Sequence, residues 1–170
     1  MKDPLLSDED DDKFMKQVVS VEYDMKPSPE QVAYGQELAK HRIVGHRCPE
    51  CGLTYVPGNG FCPLCTVVIG GNARVEIEPR GTVTTFTVVE PVQYKGQQEK
   101  SPYVVAAILL DGAGVALGQQ RLGEIDPEDV RTGMRVEVEW AEPGAASPIK
   151  HWGPNGEPDV PADQLQEHIL

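Results

Sequence analysis

Hydrophobic and polar positions alternate with a period of two along several short stretches from residue 74 onward. Val75 and Ile77 are separated by charged residues, and Val136 and Val138 follow the same pattern. The other stretches are the β-branched run at residues 82–89, the apolar run at residues 103–110 and the alternating residues 115–119. Such patterns indicate strands. These strands, with one helical turn near residues 126–130, predict a small, partly open β-barrel.

One helix is predicted ahead of the strands. Ser28 is followed by Pro29 and, three residues after the serine, by Gln31, which is the arrangement of a capping box with proline at the first helical position. The helix extends over about residues 29–40. It places Tyr34 and Leu38 on one face, and an apolar face of this kind must cover another surface.

Length and composition favour this interpretation. The chain has 170 residues, which suits one domain of roughly 100–150 residues with extensions. The 15 prolines favour short strands, turns and tails over a helical bundle. The sequence has no apolar run of the length that a membrane span needs and no apolar signal-like segment near residue 1, so we expect a cytoplasmic protein.

The formal net charge of −12 is concentrated at the two ends. We therefore expect a flexible acidic extension at residues 1–27 and a flexible, Pro/Gly-rich tail at residues 143–170. Within the extension, residues 14–23 are weakly apolar without a clear period and form at most a short helix. Because a negative chain repels phosphates, the charge disfavours general binding of nucleic acid.

The four cysteines form two CxxC knuckles, Cys48-Pro-Glu-Cys51 and Cys62-Pro-Leu-Cys65. Two such turns supply the tetrahedral sulfur shell that zinc prefers, and four ligands leave no open position, so a bound zinc would be structural. Disulfides, which a reducing compartment disfavours, remain an alternative. Two further alternatives to a zinc site are an all-thiolate iron site and catalytic thiols.

Few candidates for catalysis remain once the cysteines are assigned. His41 and His46 flank the first knuckle, where they could support or join the metal site, and His151 and His168 lie in the tail. The sequence contains no nucleophile elbow, HExxH, P-loop or dinucleotide-binding motif. We therefore predict that this chain is not an enzyme on its own.

The order of these elements resembles the zinc-ribbon/OB-fold acyl-CoA-associated family, first described as a domain of unknown function. The resemblance rests on the capped helix, the two knuckles, and the barrel segments that begin at Gly81, Ser101, Asp126 and Gly133, and it covers about residues 29–142. It implies a mainly β fold. A helix and rubredoxin-like zinc ribbon would occupy residues 28–72, and a small OB-fold barrel would occupy residues 73–142.

The resemblance also implies an accessory role. Members of the family accompany thiolase-fold enzymes, including thiolases, lipid-transfer-protein-like aldolases and hydroxymethylglutaryl-CoA synthase assemblies, or are fused to enoyl-CoA hydratases. The partner would own the catalytic residues and cleave a C–C bond by thiolysis or a retro-aldol or retro-Claisen reaction. This chain would bind structural Zn²⁺, stabilise the partner in a hetero-oligomer such as α2β2, and help to shape a site for a CoA thioester.

Two surfaces are candidates for these contacts. In the loop at residues 91–102, Lys95 and Lys100 could meet CoA phosphates while Tyr94 stacks near the adenine. For the partner interface, the candidates are Tyr34, Leu38 and Trp152. An OB-fold nucleic-acid-binding module and a stand-alone CoA-binding protein are the alternative functions.

Overall fold

The computed structural model describes residues 19–92, 99–123 and 125–165. Its helices are α1 (Pro29–Leu38) and α2 (Ala162–Leu165). Its strands are β1 (Ile43–Arg47), β2 (Thr54–Tyr55), β3 (Phe61–Cys62), β4 (Val67–Val68), β5 (Arg74–Ile77), β6 (Arg80–Val89), β7 (Tyr103–Leu110), β8 (Leu117–Leu122), β9 (Arg135–Trp140) and β10 (Ile149–Pro154). Within these described ranges, neither helix has the length and hydrophobicity required to cross a bilayer.

Helix α1 begins at the predicted capping box. The Gln31 backbone N–H donates to Ser28 Oγ (3.2 Å), and the Ser28 backbone N–H donates to Gln31 Oε1 (2.8 Å). These two bonds satisfy donors that the start of a helix leaves free. The helix ends at Leu38, slightly before the predicted residue 40, and Tyr34 and Leu38 pack partly against the main core.

The residues after α1 form the ribbon. Strands β2, β1 and β5 make a three-stranded antiparallel sheet, and β3 pairs with β4 in a separate hairpin. Gly45 in β1 faces β2 so closely that a Cβ atom there would lie 2.8 Å from the Tyr55 carbonyl oxygen. This close approach brings the first knuckle against the rest of the ribbon.

The barrel is closed, in the strand order β10-β8-β7-β6-β9. Along β7 the side chains alternate, and Val104, Ala106, Ile108 and Leu110 are buried in the core. Strand β6 pairs with β7 along its length and with β9 at its first three residues, with a register shift between Val83 and Thr85. The predicted mainly β fold with a small barrel is confirmed, but the barrel closes because it contains a fifth strand.

That fifth strand, β10, comes from the segment for which the sequence predicts a flexible tail. It pairs antiparallel with β9 and parallel with β8, so that Trp152 lies opposite both Val138 and Leu122. The Trp152 side chain is fully buried, and its Nε1 donates to Gln120 Oε1 (3.0 Å). The barrel therefore extends to Pro154. Trp152 is a core residue, and this corrects its assignment as a partner contact.

The structure also differs from the sequence interpretation at the N-terminal extension. Residues 19–23, the described part of the weak helix at 14–23, are exposed and belong to no helix or strand. The acidic residues 1–12 lie outside the described ranges.

Candidate metal centre

The two CxxC knuckles are tight turns closed by backbone hydrogen bonds. The Gly52 N–H donates to the Cys48 carbonyl (3.0 Å), and the Thr66 N–H donates to the Cys62 carbonyl (2.8 Å). Gly52 has φ of 76°, a left-handed conformation that glycine adopts without strain. Each turn directs its two sulfurs toward the other knuckle, and the four Sγ atoms all lie within 4.8 Å of one another.

This sulfur arrangement fits a tetrahedral metal ion. A Zn–S bond of about 2.3 Å implies an S–S separation of about 3.8 Å in a regular tetrahedron. Cys51 Sγ and Cys62 Sγ are 3.8 Å apart, and all four cysteines are free thiols rather than disulfides. Four soft sulfur donors at these distances can hold one metal ion and would leave it no open coordination position.

The protonation of the cluster is consistent with a cation site. Burial raises the pKa of Cys62, but hydrogen bonds from the Tyr55 hydroxyl and the Cys65 backbone N–H outweigh it and lower that pKa to about 6. In contrast, the hydrogen bond with Cys51 is the largest cause that raises the pKa of Cys65 to about 12. The metal-free cluster therefore retains protons on some sulfurs, which a bound metal ion would displace.

Tyr55 is a component of the site that the sequence analysis missed. Its hydroxyl lies 3.2 Å from Cys62 Sγ, and its side chain is buried at the end of β2. This hydrogen bond is the largest cause that raises the pKa of Tyr55 above its ordinary value. The tyrosine lies seven residues before the cysteine, and the two residues belong to different sheets of the ribbon, Tyr55 to β2 and Cys62 to β3. No spacing rule in the sequence indicates this contact.

The described histidines lie outside the sulfur cluster. His41 stacks on Trp140, with ring centroids 4.8 Å apart. His46 is buried in β1, where its Nδ1 and the Tyr34 hydroxyl have no hydrogen-bond partner among the described residues; both border a space of about 10 Å³ beneath α1. A space of this size holds about one water molecule. His151 Nε2 lies 3.0 Å from Glu139 Oε2, whereas His168 is outside the described ranges.

The structure describes only some of the residues in the predicted contact surfaces. Tyr94 and Lys95 lie outside the described residues, and Lys100 is exposed at the end of the same loop. Tyr34 and Leu38 line an open groove of about 420 Å³ between α1 and strands β8 and β10. These two side chains therefore contact the barrel and also border solvent.

Known proteins resemble this chain in sequence and in fold. Residues 74–141 match the family model for the C-terminal OB-fold domain of ChsH2. Over 99 residues, the chain is 34% identical to a protein of Methanocaldococcus jannaschii named DUF35 domain-containing scaffold protein, and the match spans 58% of this chain and 67% of that protein.

Two solved structures share the fold. One, described as the Ltp2-ChsH2(DUF35) aldolase, has a TM-score of 0.60 and 23% identity over 77% of this chain and 98% of the matched chain. The other is a DUF35-family protein of unknown function from Sulfolobus solfataricus, with a TM-score of 0.55 and 20% identity over 75% of this chain and 86% of that chain. At these identities, the two structures establish a common fold.

Proposed function

Since this chain belongs to the DUF35 family, we propose that it is a non-catalytic accessory subunit of a thiolase-fold acyl-CoA enzyme and that a structural zinc ion holds its ribbon together. The observation that carries the proposal is the 34% identity to the M. jannaschii protein, which is named a scaffold. The aldolase that shares the fold pairs a DUF35 chain with Ltp2 by its description, which supports an enzyme as the partner.

We propose zinc as the metal because four thiolates at tetrahedral spacing are its usual structural ligands. Cys48, Cys51, Cys62 and Cys65 would hold it. Zinc in such a shell supplies folding free energy, on the order of 10 kcal/mol in zinc-finger peptides, and performs no chemistry on a substrate. Three of the ribbon strands, β2, β3 and β4, have only two residues each, which supports a stabilising role for the metal ion.

The partner, rather than this chain, would carry out catalysis. The sulfurs are assigned to the metal, His41 stacks on Trp140, and His151 pairs with Glu139. Both histidines are thus engaged in contacts within the chain. The proposed partner performs thiolysis or retro-aldol cleavage of an acyl-CoA, with a hetero-oligomer such as α2β2 as the proposed assembly. An enoyl-CoA hydratase is a second proposed associate.

For the CoA thioester, we keep the loop at residues 91–102 as the proposed contact, with Lys95 and Lys100 facing phosphates and Tyr94 the adenine. Lys100 is exposed, as such a contact requires. The exposed edges of Tyr34 and Leu38 in the groove beside α1 stay proposed partner contacts.

Co-expression with the thiolase-fold enzyme encoded nearest to this chain tests the proposal. We expect a stable complex by size-exclusion chromatography with light scattering, one zinc per copy of this chain by elemental analysis, and thioester turnover only in the complex. Turnover by the isolated chain, or the lack of any complex, would refute the accessory role. Salt-sensitive oligonucleotide binding, or CoA binding by the chain alone, would favour the two alternative functions instead.

A further inference from the structure

Residues 19–25 belong to no helix or strand and have a period-two apolar pattern. Val19, Val21, Tyr23 and Met25 alternate with Ser20, Glu22 and Asp24. The four apolar side chains are 72%, 73%, 73% and 78% exposed. In an extended strand, residues at period two lie on one face, so pairing of this segment as a strand would place its four exposed apolar side chains together.

The backbone of this segment is also unpaired. Among the described residues, none makes a backbone hydrogen bond with residues 19–27. An isolated extended strand has free N–H and C=O groups along its edges, and these groups are satisfied when the strand joins a sheet. An apolar face and a free backbone together indicate addition of the segment to the edge of another sheet.

The β3–β4 hairpin, which carries the second knuckle, has exposed apolar side chains of its own. Phe61 and Val68 pair across the β3–β4 hairpin and are 43% and 77% exposed, and Leu64 between them is 58% exposed. The Glu30 carboxylate at the start of α1 lies about 3.4 Å from where a Cβ of Gly60 would be. The start of α1 therefore lies beside this hairpin, and residues 19–28 directly precede that helix in the chain.

Charge selects the kind of protein that fits. Residues 8–12 are five consecutive acids, seven positions before Val19 in the sequence. A surface that accepts the segment must tolerate this charge, so a basic flank is complementary. A second copy of this chain carries the same acidic run and a net charge of −12, and like charges would oppose pairing of two copies.

We propose that residues 19–25 are a docking strand that pairs with an open sheet edge of the partner enzyme, next to a basic surface, while Phe61, Leu64 and Val68 cover an adjacent apolar area. The inference rests on the proposed function, because it names the segment through which this subunit binds its enzyme. It adds a contact through residues 19–25 and the β3–β4 hairpin to the proposed contacts in the groove beside α1.

Matched charge variants on the two faces of the strand test the proposal in the co-expressed complex. Val21→Asp and Tyr23→Asp place a charge on the apolar face, whereas Ser20→Asp adds the same charge to the opposite face. We expect each apolar-face variant to weaken binding by at least about tenfold, and the Ser20 control by much less, because only the former lose a buried side chain. Deuterium exchange of residues 19–27 should slow in the wild-type complex, and affinity should fall with added salt.

Each other outcome has a distinct meaning. Unchanged affinity and unchanged exchange in a complex that still forms would overturn the docking strand while the proposed function stands. Failure of the wild-type chain to bind the enzyme would remove the proposed function and this inference with it. Dimers of the isolated chain that Val21→Asp dissolves would assign the strand to a second copy. Loss of fold in these variants, measured by circular dichroism and metal content, would show that the segment belongs to the core and would also overturn the proposal.

Discussion

Replacement of Trp152 by alanine is the most direct test of how the barrel closes. The residue lies at the centre of β10, opposite Val138 and Leu122, and its side chain has no exposed surface. Its indole N–H donates to Gln120 Oε1 at 3.0 Å. If the segment were a loose tail, none of these contacts would contribute to the stability of the fold.

The structure sets the expected magnitude. A buried aromatic side chain removes about 150–250 Å² from water, which corresponds to about 4–6 kcal/mol at about 25 cal/mol per Å². Large-to-small substitutions of core tryptophan cost about 3–5 kcal/mol in practice. We therefore expect Trp152→Ala to lower the free energy of unfolding by about 4 kcal/mol, out of a total of about 5–15 kcal/mol. Trp152→Phe keeps most of the apolar area and should lose only about 1–2 kcal/mol, mainly from the unpaired Gln120.

Urea unfolding of the metal-saturated chain, followed by far-ultraviolet circular dichroism, measures this loss. Circular dichroism is preferable because the substitution removes one of the two tryptophans. Lys150→Ala is the control, since Lys150 is exposed on the same strand and its ion pair with Glu139 is at the surface, so the change should stay within about 1 kcal/mol. If Trp152→Ala matched this control, β10 would not be part of the barrel.

Three other perturbations follow from the structure. Gly81→Ala should destabilise the barrel by about 1–3 kcal/mol, because the added Cβ would lie 2.4 Å from a carbonyl oxygen of β7. Its control, Gly35→Ala in α1, meets nothing within 4 Å and should stabilise the chain by about 0.5–1 kcal/mol. Shifts of the melting temperature in the same direction for both variants would contradict this. Cys62→Ser should reduce bound metal below one ion per chain by elemental analysis, and full occupancy would refute the cysteine site. The hydrogen bond from Arg135 lowers the pKa of Glu157 below its ordinary 4.5. The pair therefore stabilises the fold above pH 4.5, and this stabilisation is lost as the pH falls through the lowered pKa. Glu157→Gln should reduce the dependence of the free energy of unfolding on pH in this acid range, and an unchanged dependence would contradict the prediction.

The features that the sequence predicts well depend on local signals. Ser28 and Gln31 are three residues apart, and their reciprocal hydrogen bonds need no other part of the chain. The spacing within each CxxC knuckle likewise determines a turn, and Gly52 follows the first one in the conformation that the turn requires. The apolar run at residues 103–110, which ends at Asp111-Gly112, identifies β7 as a strand, and both faces of this strand are apolar.

The features that the sequence analysis missed depend on distant contacts. Trp152 has prolines and glycines on both sides, and its partners Leu122 and Val138 become neighbours only when the barrel closes. The hydroxyl of Tyr55 lies 3.2 Å from Cys62 Sγ although the two residues belong to separate sheets, so their contact depends on how these sheets pack. Residues 19–25 overlap the weakly apolar stretch at 14–23, and it is the structure that shows their apolar side chains exposed.

Exposed apolar side chains are unevenly distributed between the N-terminal part of the described chain and the barrel. Ten large hydrophobic residues are exposed in the described ranges. Seven of them belong to residues 19–25 or to the β3–β4 hairpin that carries the second knuckle. The barrel instead buries its alternating faces and fills its last gap with Trp152. A metal ion bound by the four cysteines, as proposed, would keep the surface of this hairpin in one shape, since Phe61 is next to one of the ligands and Leu64 lies between two of them. The barrel therefore buries its own apolar faces. Most of the exposed apolar area of the described chain belongs to residues 19–25 and the β3–β4 hairpin, and exposed apolar area of this kind marks a surface that another protein covers.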